Sequence, residues 1–234
     1  MSLPRLLAVM GSGETSPTMV ATHRELFRRL GADPHPVPLE TPYAFQENAA
    51  QISARAVAYF GGRVGRRVEV LRQLGGGGLD AETALARLRA ARWVFAGPGS
   101  PSYALAAWRD GQVPQALVEL LRRGGCVVFA SAAACTIGSH TLPVYEIYKV
   151  GQAPFWLDGL DLVAAAGLRV AVVPHYDNSG CLLGGTLVWP YIPDSDGRSV
   201  AKCRRHHLSS AAALAASVSS RNRRCRSAWK RTST

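Results

Sequence analysis

The sequence predicts a three-layer α/β protein, doubly wound about a mostly parallel sheet. Two observations carry that expectation. Over the first three quarters of the 234 residues, short apolar runs alternate with segments of helical periodicity, the pattern of successive βαβ units. Most of the apolar runs then open into a loop of glycine and polar residues: GSGETS, TPYAFQEN, GPGSPSY, SAAAC and HYDN. In open sheets of this kind, ligands gather beyond the carboxyl ends of the strands.

The elements follow in order. Leu6 to Met10 reads as the first strand. From Pro17 to Leu30, Met19, Val20, His23, Leu26, Phe27 and Leu30 share one helical face. Pro36 to Leu39 is a strand, Asn48 to Phe60 a helix and Val68 to Leu71 another strand. Gly75 to Gly78 reads as a flexible connector, with Asp80 as N-cap of the helix that carries Leu85 and Leu88. Trp93 to Ala96, Cys126 to Ala130 and Leu168 to Pro174 complete the strands. Between the first two of these, Val113, Leu117, Leu120 and Leu121 mark an amphipathic helix ending at Gly124-Gly125.

The pattern divides the chain at about Asn178. Residues 1–178 read as one domain with 17 Lys+Arg against 14 Asp+Glu, whereas residues 179–234 carry 10 against 2. The tail also holds ten serines and an alanine-serine tract, a composition expected of a disordered or poorly packed segment. Within it only Thr186 to Ile192 reads as a further strand. A shift of reading frame after Asn178 would account for the change.

The formal charge of +11 therefore belongs mostly to the tail, and nucleic-acid binding is not expected from charge alone. No apolar run approaches the roughly 18 to 20 residues a membrane span needs. The five-residue run near the N-terminus reads as a strand rather than a secretory leader, so a cytoplasmic location is expected. Five scattered cysteines without a CxxC pair predict free thiols and no zinc site, and the sequence implies no metal or cofactor. It leaves the oligomeric state open.

The chemistry centres on VVFASAAA, Val127 to Ala134. A strand running straight into Ser131 and then into alanines fits a nucleophile held on a sharp strand-to-helix turn, with the Ala132 N–H beside it as an oxyanion donor. The plainer reading is a small residue where a strand ends. His175 closes the strand RVAVVPH and so reaches the same sheet edge, where an imidazole suits general-base work. A loop histidine is its plainer reading.

Glu146, in an apolar and aromatic setting, is the favoured carboxylate to orient that imidazole, with Asp177 as the alternative. A surface ion pair with Lys149 is the plainer reading of Glu146. Gly99 or Ser100, in the turn after Trp93 to Ala96, is the candidate second oxyanion donor. The GSGET loop lacks the lysine and spacing of a phosphate loop.

Taken together, AGPGSPSYAL, FASAAA, Glu146 and PHYDN resemble the class I glutamine amidotransferase-like (flavodoxin-like) fold. Within it the resemblance is to the serine peptidases of the cyanophycinase and dipeptidase E type, over roughly residues 5 to 178. The resemblance implies a serine hydrolase acting on a small peptide or amide, with Ser131 as nucleophile, His175 as base and Glu146 as acid. Ala132 with Gly99 or Ser100 would form the oxyanion hole.

A family-like preference for acidic substrates would require a cation, for which Arg24, Arg109 and Lys149 are candidates. The fold's glutamine amidotransferases use cysteine at the elbow, but here Cys135 stands one turn beyond and Cys126 at the strand's start. Phe129 and Ala133 replace glycines of the motif, and Phe129 is expected to reshape or block the pocket. A catalytically silent, ligand-binding or interaction member of the fold is the alternative function.

Overall fold

The computed structural model describes residues 5–31, 34–72, 74, 78–164, 167–175 and 186–190. Strands β1 (Leu6–Met10), β2 (Pro36–Leu39), β3 (Trp93–Ala96) and β4 (Cys126–Ala130) form a wholly parallel ladder in the order β1-β4-β3-β2. Every residue of β3 and β4 is buried, as expected of parallel strands covered on both faces.

A second ladder, β6-β5-β7-β8, joins β5 (His140–Thr141), β6 (Leu157–Asp158), β7 (Val170–Pro174) and β8 (Thr186–Pro190). There β5 and β7 run parallel, while β6 and β8 are antiparallel to their neighbours. The mostly parallel, doubly wound α/β class expected from the sequence is the one observed.

Two layers of helices bury the first ladder. On one face, α1 (Val20–Leu30) and the π-helical turn Tyr59–Val64 that extends α2 (Ala49–Ala58) pack with Trp93, Phe95 and Val128. Phe27 stacks on Trp93 with centroids 4.7 Å apart. The other face is covered by α3 (Leu79–Ala90), α4 (Pro101–Trp108) and α5 (Val113–Arg122). This second core includes Phe129 and continues to Ile137, Leu162 and Val172, so that the two ladders share one apolar interior.

Several expectations require correction. Val68 to Leu71 forms no strand; Leu71 alone makes an isolated bridge to Leu39. Its neighbour β2 has proline at Pro36 and Pro38, and a residue without an N–H cannot complete a regular ladder. Gly78, not Asp80, is the N-cap of α3, and Asp80 and Glu82 lie in the first turn, where negative charge complements the helix dipole. Of the connector Gly75 to Gly78, only Gly78 lies within the described residues.

The GPGSPSY segment expected as a loop is a loop only to Ser100; Pro101 to Tyr103 already belong to α4. Ser100 caps α4, its Oγ accepting the Tyr103 N–H at 3.0 Å, and Pro101 occupies the first turn. The segment around Glu146 forms α7 (Val144–Val150). Thr186–Pro190 pairs with β7, which carries the sheet past residue 178. The rest of the 179–234 tail, with Cys181, Cys203 and Cys225, lies outside the described residues. Among the described residues no helix is long and apolar enough to cross a membrane.

Candidate functional site

The strand register dictates what meets at the sheet edge. β1 and β4 end level, Met10 opposite Ala130, and the next residue, Ser131, opens the short helix α6 (Ser131–Cys135). Its φ is 50°, a left-handed conformation costly for a residue with a side chain and the mark of a sharp strand-to-helix turn. β7 ends at Pro174 and delivers His175, also left-handed at φ 60°. Ser131 Oγ lies 2.9 Å from His175 Nε2, so two residues 44 positions apart in sequence form a hydrogen-bonded pair.

His175 is half-buried, and desolvation lowers its pKa below the ordinary 6.5, favouring the neutral imidazole. Its Nδ1 is buried without a hydrogen-bond partner among the described residues. Glu146, expected to orient this ring, faces a different task. Its Oε1 accepts hydrogen bonds from the hydroxyls of Ser100 and Ser102, and its Oε2 has no partner among the described residues. The side chain thus ties α7 to the start of α4. Asp177 lies outside the described residues.

The expected oxyanion donors also separate. The Ser100 N–H is committed to the Pro42 carbonyl at 2.8 Å and is therefore not a free donor. Among the described residues the Ala132 and Gly99 N–H groups meet no acceptor. Gly99 has φ 139°, and a Cβ there would lie 1.9 Å from the Pro42 oxygen, so only glycine permits this close approach.

Phe129 does not block the pocket. It is fully buried on the face covered by α3, α4 and α5, 5.8 Å from the Trp108 ring, because strand alternation turns it into that core. Ala133 is likewise buried, and its N–H donates to Gly97 O at 3.2 Å. The free thiols Cys126 and Cys135 are buried, and desolvation pushes both pKa values up, which opposes thiolate formation. Cys135 Sγ is turned back to the Ser131 carbonyl, 3.6 Å away.

Sequence reasoning passed over Glu14 in the GSGETS loop. Its Oε1 lies 3.4 Å from where a Cβ on Gly97 would stand. Since β4 lies between β1 and β3, a β1-loop side chain reaching the β3 loop crosses the end of β4, beside the Ser131 turn. Burial raises the Glu14 pKa above the ordinary carboxylate range, opposed by a hydrogen bond from its own backbone N–H. His23 Nε2–H donates to the Glu14 carbonyl at 2.7 Å and holds the loop down on α1. The available signal was a carboxylate within a glycine-serine loop at a strand end.

No family model matches the sequence. No curated protein matches it either. Among solved structures, the fold is similar to a peptidase from an acI-B1 actinobacterium, with a TM-score of 0.62 and 18% identity, over 76% of this chain and 71% of that one. It is also similar to a protein assigned to peptidase E from Listeria monocytogenes, with a TM-score of 0.53 and 17% identity, over 75% and 81% of the two chains. At these identities the likeness establishes the α/β, flavodoxin-like fold.

Proposed function

We propose that this protein is a serine-type hydrolase cleaving an amide bond in a small peptide or isopeptide. The observation that carries the reading is the 2.9 Å contact between Ser131 Oγ and His175 Nε2, made by a serine held left-handed at the end of β4. For proton abstraction Nε2 is the acceptor and the ring carries its proton on Nδ1. Ser131 then attacks the carbonyl carbon as its proton passes to Nε2. The oxyanion forms against the N–H groups of Ala132 and Gly99.

Collapse of the intermediate expels the amine, which takes the proton from His175. Water, deprotonated by the same imidazole, releases the acyl group and restores the serine. The peptidase names of the two structural neighbours support this reaction class. The motif resemblance to cyanophycinase and dipeptidase E supports the same class.

A second reading, a silent ligand-binding member of the fold, draws on one observation: Nδ1 of His175 lacks a carboxylate partner among the described residues. Fluorophosphonate labelling read by intact mass decides between them. The hydrolase reading expects one adduct on the wild-type protein and none on Ser131→Ala. It also expects Ser131→Ala to lower any peptidase rate by roughly 10⁴ to 10⁶-fold. A folded wild-type protein without adduct would establish the silent reading.

A further inference from the structure

Three aromatic rings come together on the sheet edge that carries Ser131. Phe45 comes from the turn after β2, Tyr103 from α4 and Tyr145 from α7, and each element also supplies a contact near the candidate site. Phe45 follows the Pro42 carbonyl that receives the Ser100 N–H. Tyr103 donates its own N–H to Ser100 Oγ, and Tyr145 precedes Glu146, which accepts from Ser100 and Ser102. The Phe45 and Tyr103 centroids are 5.1 Å apart at an interplanar angle of 45°, and Tyr145 meets Phe45 edge-on at 5.9 Å.

Such rings attract one another, yet Phe45 and Tyr103 keep 42% and 41% of their surface open to solvent. Exposed phenylalanine clustered with tyrosines on the sheet edge that carries a candidate nucleophile is a surface that gains by being covered.

The charges around this edge argue against an acidic occupant. Glu14, Glu40 and Glu146 are all buried at the carboxyl ends of the strands or on α7. Arg72 is paired with Glu40 at 3.2 Å. Two of the three cations considered for an acidic substrate are engaged on backbone carbonyls: Arg24 on Arg63 and Val64, and Arg109 on Asp158. Lys149, one helical turn past Tyr145, is the remaining candidate.

We infer that Phe45, Tyr103 and Tyr145 form a specificity platform that receives an aromatic or large apolar side chain flanking the scissile bond, and that the enzyme discriminates against acidic residues there. This inference rests on the serine-hydrolase reading of the same site and assigns its substrate class.

The test is protection of Ser131 in the full chain from a small fluorophosphonate by N-acetylphenylalanine amide and, separately, by N-acetylaspartic acid amide. The platform requires the phenylalanine compound to protect at a concentration about tenfold or more below the aspartyl one, the discrimination a hydrophobic pocket supplies. Phe45→Ala and Tyr103→Ala should each erase most of that ratio, while Phe45→Leu, which keeps an apolar surface, retains much of it.

Equal protection by the two compounds overturns the platform while leaving the hydrolase intact. So does better protection by the aspartyl compound that Lys149→Ala abolishes. Failure of wild-type Ser131 to label at all overturns the hydrolase reading and the platform with it.

Discussion

The two ladders differ in how firmly they hold what they carry. The first is wholly parallel, with β3 and β4 buried at every position and a helical layer on each face. The second contains two strands of only two residues, and β7 is partly exposed at Val170 and Val173. Ser131 hangs from the first and His175 from the second. The 2.9 Å contact between them therefore measures how well two unequal structures are joined. The nucleophile's position is over-determined by its core, whereas the base depends on a thinner support.

The largest effect should come from weakening the stronger ladder. Phe129 is fully buried against Trp108, and Phe129→Ala should cost about 3–5 kcal/mol through lost burial and the cavity left behind. A shift of the urea midpoint with little change in slope would show it. Because the stability of a domain is only about 5–15 kcal/mol, this variant should sit near the edge of folding.

A smaller and more local effect should come from the join. A Cβ on Gly138 would lie 1.9 Å from the Val170 carbonyl at the start of β7, an acceptor already used by the Ser139 N–H at 3.0 Å. Gly138→Ala should therefore destabilise by roughly 1–3 kcal/mol, as overpacking does, and displace β7. The signature is slower Ser131 labelling in a protein whose first ladder remains folded. Unchanged labelling would mean that β7 is held by contacts other than this one.

The smallest effects are those of pH. The lowered pKa of His175 keeps the base neutral below the ordinary imidazole value, so the acid limb of kcat/KM should fall below pH 6.5. Glu14 acts on stability with a defined sign. Its native pKa is raised, so the native state retains a proton that the unfolded chain releases once the pH passes about 4.5. Its contribution to stability is thus lost as pH rises from there through the native value. Glu14→Gln cannot ionise, and its advantage in Tm over the parent protein should grow across that interval.

The difference between the ladders also governs what could be read from sequence. β1, β3 and β4 were legible because four or five consecutive apolar residues, bounded by turn formers, have few other ways to bury themselves. Ser131 and His175 were legible for the same reason, each being the first residue beyond such a run. Ser100 followed by Pro101 was a readable helix start, obscured because GPGS also reads as a turn. The two-residue strands were not readable, since their pairing comes from backbone stacking around Gly138 and Gly159 rather than from hydrophobic periodicity. The task of Glu146 was hidden for a related reason, because its serine partners lie 44 and 46 residues away and no local pattern encodes that distance.

The two faces of the first ladder also carry separate optical reporters. Trp93 is sealed among His23, Phe27 and Phe60 on one side, and Trp108 lies against Phe129 on the other, neither with any surface open to water. Each indole senses one layer of helices, so the emission of each, isolated by replacing the chain's other four tryptophans with phenylalanine, follows the loosening of its own side. The order in which α1 and the α4–α5 pair leave the sheet is thereby written into the intrinsic fluorescence of the chain.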